Sequence, residues 1–363
     1  MTRNNNFDFL RLLFAVFVIV SHSYPLSADS SCDLLCLLTD QKLVFSYIGV
    51  SGFFIISGYL IFQSLLRSEN LVDYFWKRFL RLFPALFIVL LLTILLAPIV
   101  YHGTISYWSN KSPYSYFYKN LSLFRLQYPI KGVFENNVYG AAINGSLWTL
   151  CYEFSMYIIL SLLFFFKTNN KLLKIVFIAI FTTFVVYYFF LKNEIVFNFY
   201  QLSSLHLAEL GMFFLGGSFL ALINFEKINF FKSLIIISGI LILLSEIFFK
   251  ESMIFRFILW PVFIIGLGIQ STKYISRIGD KIGDLSYGVY IYGFPIQQTL
   301  MYYFKLNAIE LMLLAIPLAL IFGYISWHLI ESTVLKYKKK KLLEIKFLRN
   351  IIKTTNLNIK RLR

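Results

Sequence analysis

The chain has 363 residues, of which 58% are apolar, 19% aromatic and only 14% charged. Soluble domains are closer to a quarter charged, so the composition excludes an ordinary soluble protein and indicates an integral membrane protein. The net charge of +16 would suit a nucleic-acid partner. However, the basic residues stand between apolar segments and in the C-terminal tail, so we expect them to orient the protein in a membrane and not to bind nucleic acid.

Ten apolar runs approach the roughly 20 residues that cross a bilayer as a helix. They predict an all-α integral membrane protein, a polytopic bundle with spans at 8–25, 45–65, 82–101, 146–166, 172–191, 203–223, 233–249, 254–270, 284–304 and 308–334. The first run follows Arg3 as in a secretion signal, but Ser27-Ala28-Asp29 is a poor cleavage site, so we interpret the run as an anchor. We expect one membrane domain over 1–335 and a basic cytoplasmic tail over 336–363.

The distribution of basic residues predicts the orientation. If the N-terminus is cytoplasmic, the cytoplasmic segments hold 25 of the 34 Lys and Arg. Because cytoplasmic loops are enriched in basic residues, we expect an even number of spans and both termini in the cytoplasm. Arg11 then lies at the cytoplasmic end of the first span, and His22 lies about 16 Å further along the helix axis, towards the outer surface.

His22 is an ionisable group inside an apolar segment, where such residues are costly and usually functional. Glu153 lies two turns into the fourth predicted span, which also begins on the outer side. Together they predict a general base and the carboxylate that orients its ring, for proton removal from a hydroxyl. The alternative is that His22 faces the headgroups while Glu153 pairs locally, and the residues alone favour neither interpretation. His206 and Glu209, three residues apart, are a secondary candidate pair.

Arg78 and Arg81 are three residues apart at the predicted inner membrane boundary. Guanidinium groups bind phosphates bidentately, so the pair predicts a site for a phosphorylated cofactor from the cytoplasm, with plain membrane anchoring as the alternative. Arg11 can pair with Asp8 on one helical face without losing contact with an anionic ligand. The small residues Gly49, Gly52 and Gly58 predict either close helix packing or room for a thin acyl chain.

The cysteines and histidines show no zinc-site spacing, so we expect no metal. Cys32 and Cys36 share a predicted outer loop, either as a disulfide or as two free thiols. Cys151 falls inside a predicted helix, where we expect it to pack in the core.

Five segments, in order, resemble signatures of the membrane acyltransferase type 3 family. They are Arg11 with His22, Gly52–Leu60, Arg78 and Arg81 with Pro84, Ser146–Leu150 with Glu153, and Leu285–Tyr292. The resemblance covers roughly residues 6–335. Ser21–Leu26 and Asn144–Leu150 favour the branch of O-antigen and capsular polysaccharide O-acetyltransferases.

The resemblance implies transfer of an acyl group, usually acetyl, from cytoplasmic acyl-coenzyme A to a carbohydrate hydroxyl on the outer side of a bacterial plasma membrane. Acetyl-coenzyme A is then the donor substrate, a surface glycan or lipid-linked oligosaccharide is the acceptor, and membrane lipid surrounds the protein. The implied roles are His22 with Glu153 in catalysis, Arg11, Arg78 and Arg81 at the coenzyme, and Asn144, Ser146, Trp148 and Tyr152 at the acceptor.

The chain departs from the family at two places. Gly293-Phe294-Pro295 lacks the histidine that many members carry before the proline, and Glu331-Ser332-Thr333 lacks a proline, so no catalytic role is expected near 293 or 331. Some relatives carry a further hydrolase-like domain, whereas here we expect direct transfer or hand-over to another protein. The alternative function is a multi-pass transporter of a small or lipid-linked solute, although the two halves show no convincing internal repeat.

Overall fold

Long apolar helices make up most of the computed structural model, which describes residues 5–249 and 253–339. Fourteen α-helices follow one another in this part of the chain: α1 (Phe7–Leu26), α2 (Leu34–Leu38), α3 (Phe45–Arg67), α4 (Leu71–Leu96), α5 (Lys111–Leu121), α6 (Trp148–Ser161), α7 (Asn170–Val186), α8 (Ser204–Leu222), α9 (Phe231–Phe248), α10 (Met253–Ile269), α11 (Ile278–Ile282), α12 (Ser286–Tyr303), α13 (Ala308–Ser326) and α14 (Ser332–Leu335). A two-stranded antiparallel hairpin pairs β1 (Asn198–Phe199) with β2 (Leu202–Ser203). The predicted all-α polytopic fold is confirmed.

Each of the ten predicted spans coincides with a helix. Eight helical segments are long and apolar enough to cross a membrane. The other two are α10, which has 17 residues, and α12, which contains two glutamines and five tyrosines. Most of α12 is buried among the other helices, so protein rather than lipid surrounds its polar groups. Arg3, Lys250 and nearly all of the basic tail, which contributed to the orientation count, lie outside the described residues.

The helix that contains the third predicted span begins well before the span does. The helix α4 begins at Leu71, eleven residues before position 82, and the side chain of Asn70 caps it by accepting the Asp73 backbone N–H at 2.8 Å. Lys77 pairs with Asp73 at 2.6 Å on the same helix. Hydropathy places the start of a span where charges end, whereas the helix starts at its cap. Arg78 and Arg81 therefore lie inside α4 and not ahead of it.

Glycines allow the central helices to approach closely. A Cβ at Gly52 would lie 2.3 Å from the Phe14 ring, and one at Gly58 would lie 1.9 Å from the Phe214 carbonyl oxygen. Small residues at such contacts bring backbones together and increase van der Waals packing. The packing interpretation of these glycines is therefore confirmed, because Phe14 fills the space that an acyl chain would need.

The loop between α1 and α3 is braced just beside His22. Cys32 and Cys36 form a disulfide across α2. The buried Asp33 carboxylate accepts the Ser21 hydroxyl at 2.5 Å and the Phe45 backbone N–H at 3.0 Å. Because Asp33 joins the last turns of α1 to the first turn of α3, it fixes the backbone next to His22. Elsewhere Cys151 is fully buried, as predicted.

Candidate active site

Two arginines and two carboxylates meet at one end of the bundle, which we call the arginine end. Arg11 of α1 and Arg81 of α4 donate to the same oxygen, Asp284 Oδ2, at 2.5 and 2.8 Å. Arg81 also lies 3.4 Å from Glu331 Oε2. The four side chains are at most 17% exposed, so little solvent screens the ion pairs.

The turn before α12 places Asp284 between the arginines. Gly283 has a φ of +90°, and a Cβ there would lie 2.0 Å from the Trp327 indole nitrogen, so the position requires glycine. The Ser286 hydroxyl donates to the other carboxylate oxygen of Asp284 at 2.6 Å. Glu331 lies in a π-helical turn, Trp327–Glu331, that follows α13. The sequence analysis did not identify Asp284. No catalytic role was expected near residue 331, and the structure shows that Glu331 contributes to this ion-pair cluster.

Arg78 lies apart from this cluster. Its side chain is 5% exposed, and it donates to the Ser64 hydroxyl at 3.2 Å while its Nε has no hydrogen-bond partner. The rings of Tyr74 and Tyr157 each lie 5.9 Å from its guanidinium carbon. In the described part of the chain no carboxylate pairs with Arg78. Arg81 lines the central cavity described next and Arg78 does not, so the two arginines make different contacts, and their shared role at a cofactor stays a prediction.

A small central cavity of about 50 Å³ lies beside Arg11 and Arg81. Its lining side chains are Arg11, Val50, Phe53, Phe54, Ser57, Arg81, Leu82, Thr149, Leu150, Glu153, Tyr157, Tyr287 and Tyr290. Glu153 Oε1 accepts the Tyr157 hydroxyl at 2.5 Å and the Ser57 hydroxyl at 3.2 Å. The cavity is thus polar on the Arg11 and Glu153 sides and aromatic elsewhere.

His22 lines a different and larger cavity near the opposite end, which we call the outer cavity. It measures about 460 Å³. Its lining residues are His22, Pro25, Leu26, Tyr128, Tyr139, Ala142, Gly145, Trp148 and Phe294. The imidazole packs edge-on against the Phe294 ring, with 5.4 Å between centroids. Phe294 stands directly before Pro295, where many family members carry a histidine. In this chain an aromatic ring therefore packs against His22 at that position.

The expected contact between His22 and Glu153 is not formed. Within the described residues, the hydrogen bonds of the Glu153 carboxylate go to Ser57 and Tyr157, and no hydrogen bond reaches the His22 ring. Sequence position suggested a similar depth for both residues, but the structure places them at two different cavities. Glu153 therefore belongs to the central cavity, and the alternative in which it pairs locally is the observed one.

Of the four residues predicted at the acceptor, the structure places Trp148 at the outer cavity and the others behind its wall. The Asn144 side chain donates to the Ile291 carbonyl at 2.8 Å and accepts the Ser146 backbone N–H at 3.1 Å. The Tyr152 hydroxyl donates to the Gln201 carbonyl at 3.0 Å. Asn144, Ser146 and Tyr152 are each at most 3% exposed, so they brace the wall through contacts within the chain.

Two further residues near the outer cavity stand out. Gln297 of α12 is fully buried, and its Nε2 donates at 2.9 Å to both the Ile19 carbonyl and the Ser23 hydroxyl, which flank His22 on α1. Sequence analysis missed Gln297, for which the sole signal was a glutamine inside an apolar span. The secondary candidate His206 packs on Trp148, with 5.4 Å between ring centroids, and lies 3.8 Å from the Glu209 carboxylate.

A bundle of membrane helices with an arginine cluster at one end and an aromatic histidine cavity towards the other is suited to an enzyme that uses an anionic donor and a separate acceptor. The chain belongs to the type 3 acyltransferase family, whose shared acyltransferase domain matches residues 4–328. It is 30% identical over 358 residues to an O-acetyl transferase of Shigella phage Sf6, covering 94% of this chain and 99% of the relative. It is 33% identical over 171 residues to nodulation protein 10 of Rhizobium leguminosarum bv. viciae, covering 44% of each chain. No solved structure matches.

Proposed function

We propose that this acyltransferase moves an acetyl group from cytoplasmic acetyl-coenzyme A to a hydroxyl of a cell-surface polysaccharide or its lipid-linked precursor. The observation that carries the proposal is that two cavities follow each other along the same helices. The helix α1 contributes Arg11 to the central cavity and His22 to the outer cavity, and α6 contributes Glu153 and Trp148 in the same order. This arrangement suits a donor and an acceptor that approach from opposite ends.

The arginine end supports binding of the donor. Coenzyme A carries phosphates, and guanidinium groups hold phosphates in charge-assisted hydrogen bonds. Arg78 lies outside the arginine end, three residues before Arg81 on α4, and is buried without a carboxylate partner among the described residues. A buried unpaired cation is costly, so an anion near it would lower the free energy. Arg11 and Arg81 already hold Asp284, so a phosphate there would use their remaining N–H groups.

The path between the cavities supports a thin donor arm. The rise of about 16 Å from Arg11 to His22 is comparable to the length of a pantetheine arm. The central cavity, at about 50 Å³, is too small to hold that arm, since ligand sites normally have several hundred Å³. Donor binding therefore requires the aromatic side chains around Glu153 to move apart.

The outer cavity supports binding of the acceptor. Its walls carry Trp148, Tyr128, Tyr139 and Phe294, and aromatic walls with a few polar groups are typical of small-molecule sites. The volume of about 460 Å³ admits a sugar unit beside His22. We assign the outer cavity to the acceptor hydroxyl and the thioester end of the donor.

In the proposed reaction, His22 removes the proton of the acceptor hydroxyl as its oxygen attacks the thioester carbonyl carbon. The carbon–sulfur bond then breaks, the acetyl group stays on the sugar oxygen, and the leaving thiolate takes the proton from the imidazolium. Since Glu153 does not contact His22, packing on Phe294 and the bracing of α1 by Gln297 would orient the ring. Glu153 lies on the donor path in this scheme.

The test replaces His22 by alanine in the full chain and measures acetylation of the glycan by mass spectrometry. We expect at least a hundredfold loss of acetyl transfer, which is the lower range for general-base catalysis, with normal protein level and membrane insertion. His328→Ala is the matched control, because this exposed histidine lies away from both cavities. Full acetylation by the His22 variant would overturn the proposal.

A further inference from the structure

A third cavity, which we call the lipid cavity, is not used by the proposed reaction. It measures about 360 Å³ and lies between α4, α12, α13 and the loop at 130–143. Its wall is almost entirely hydrocarbon. The hydroxyls of Thr93 and Thr299, which also line it, are spent on the carbonyls of Val89 and Pro295 in their own helices, each at 2.8 Å. The lipid cavity therefore offers little beyond apolar contact, and such spaces exclude water.

The lipid cavity is elongated along the helices that line it. It follows α4 and the 3-10 turn after it from Val89 to Val100, a rise of about 16 Å, or roughly half of the ~30 Å hydrocarbon core of a bilayer. At its upper end it is bounded by Val133 of the loop and Tyr303 at the end of α12. A hydrocarbon chain entering from the outer leaflet would fit this depth with its headgroup at the loop.

The lipid cavity and the outer cavity share their dividing wall. On α12, Phe294 lines the outer cavity and the next residue, Pro295, lines the lipid cavity. In the loop, Ala142 lines the outer cavity and the next residue, Ile143, lines the lipid cavity. A molecule with its chain in the lipid cavity would therefore carry its headgroup past the site of acyl transfer. A sugar-bearing lipid bound in this way would bring an acceptor hydroxyl to the outer cavity, whereas a bulk phospholipid would bring no sugar there.

Two lysines without an ion-pair partner lie close in sequence to the mouth of the lipid cavity. Lys131 lies two residues from Val133, and Lys305 lies two residues after Tyr303, both exposed and neither in an ion pair among the described residues. The carboxylates nearest in sequence are held by backbone groups and not by these lysines, since Glu135 accepts the Gly132 backbone N–H at 2.8 Å and Glu310 closes the capping box of α13. Two free ammonium groups at this level complement a phosphate.

We propose that the lipid cavity binds the polyisoprenoid chain of a phosphate-linked glycan carrier, with Lys131 and Lys305 at its phosphate. This inference rests on the proposed function and selects one acceptor class, the lipid-linked precursor. The sugar nearest the lipid would then lie beside Trp148 and His22. The released polysaccharide, which lacks the chain, would bind more weakly.

The first experiment measures binding without activity. A diazirine-bearing polyisoprenyl phosphate is photo-crosslinked to the purified full chain in vesicles of phosphatidylethanolamine and phosphatidylglycerol. Thr93→Trp fills the lipid cavity and should reduce cross-linking at least tenfold. Leu95→Trp, on the same helix but 52% exposed and outside the cavity lining, should leave it unchanged. Lys131→Glu with Lys305→Glu, both at the surface, should reduce cross-linking several-fold without affecting folding.

Competition separates the two sources of hydrocarbon. Unlabelled polyisoprenyl phosphate should displace the probe, and extra phosphatidylglycerol should not. Equal cross-linking in wild type and Thr93→Trp, or equal displacement by phosphatidylglycerol, would overturn the proposal and leave bulk lipid as the occupant.

The second experiment compares acetyl transfer to the lipid-linked glycan and to the same glycan released from its lipid. In Thr93→Trp, the rate of acetyl transfer to the lipid-linked glycan should fall to the rate measured with the released glycan. Leu95→Trp should show the wild-type rate with each of the two acceptors. If wild type acetylates both acceptors equally and Thr93→Trp changes neither rate, the inference fails while the proposed function stands. If wild type acetylates neither, the proposed function fails, and the cross-linking result alone decides the binding site.

Discussion

Asp284 is the residue on which the arginine end depends. Its carboxylate compensates both Arg11 and Arg81, and two guanidinium groups left together in a shielded site would repel each other. Asp284→Asn should therefore lower the free energy of unfolding by roughly 3 kcal/mol, the cost of removing one partner from a buried pair. The thermal unfolding midpoint of the purified protein in detergent micelles measures this loss.

The matched control for Asp284 is Asp280→Asn, because Asp280 is exposed in the neighbouring helix α11 and its loss should be nearly neutral. Equal midpoints for Asp284→Asn and Asp280→Asn would show that Asp284 does not hold the two arginines in place.

Gln297 is predicted to position His22. Replacing it by leucine removes both donor contacts to α1, at Ile19 and Ser23, without touching either proposed substrate. We expect Gln297→Leu to lower kcat about tenfold, or about 1.4 kcal/mol in the barrier, while the KM for acetyl-coenzyme A changes less than twofold. The pH profile of kcat should keep its shape, since the base is unchanged. A parallel fall in unfolding midpoint and protein level with unaltered kcat would instead indicate a purely structural glutamine.

At the residue scale, sequence reasoning found groups whose chemistry is unusual for a membrane and missed groups that act through partners. Arg11, Arg81 and His22 are costly in lipid and could be recognised individually. Asp284 contacts Arg11 across 273 positions, a pairing that a single sequence does not reveal. The His22 and Glu153 contact failed for the opposite reason, because similar depth in a bundle does not fix which way two side chains point.

At the element scale, the interface between α3 and α8 is governed by small residues. A Cβ at Gly58 would lie 1.9 Å from the Phe214 carbonyl oxygen, and backbone cannot yield as a side chain can. Gly58→Ala should therefore cost about 2 kcal/mol of stability through overpacking, measured by the thermal unfolding midpoint.

Gly239→Ala is the comparison for Gly58, because its new methyl group would meet the edge of the Phe263 ring at 3.0 Å, and that side chain can shift. An equal decrease of the thermal unfolding midpoint in Gly58→Ala and Gly239→Ala would contradict the close approach of α3 and α8.

Element positions were largely predictable, since a run of apolar residues near 20 long has few alternatives to a membrane helix. The start of α4 was not predictable from hydropathy, because the cap at Asn70 and the Asp73–Lys77 pair are local polar signals that a hydropathy scale does not read. Arg78 continues the helix through burial, which only the packed bundle provides. The polar helix α12 was found as a span, although its tolerance of Gln297 depends on neighbours that the sequence does not show.

At the scale of the whole molecule, the proposed function depends on the orientation of the protein in the membrane. The charge distribution predicts that the arginine end faces the cytoplasm, and under the proposed function the two cavities along α1 would then lead from the donor side to the acceptor side. A transporter of the same topology would move an intact solute, whereas this chain, as a family acyltransferase, is expected to move only an acyl group.

The most direct test uses sealed proteoliposomes in which the orientation of the protein is fixed and known. Acetyl-coenzyme A is supplied only at the arginine end and the lipid-linked glycan is exposed only at the opposite face, with carbon-labelled acetyl followed by mass spectrometry. We predict labelled glycan with wild type and with His328→Ala, and at least a hundredfold less with His22→Ala. Labelling that occurs only when donor and acceptor share one face, or that persists at the wild-type level in His22→Ala, would contradict transfer across the membrane through His22.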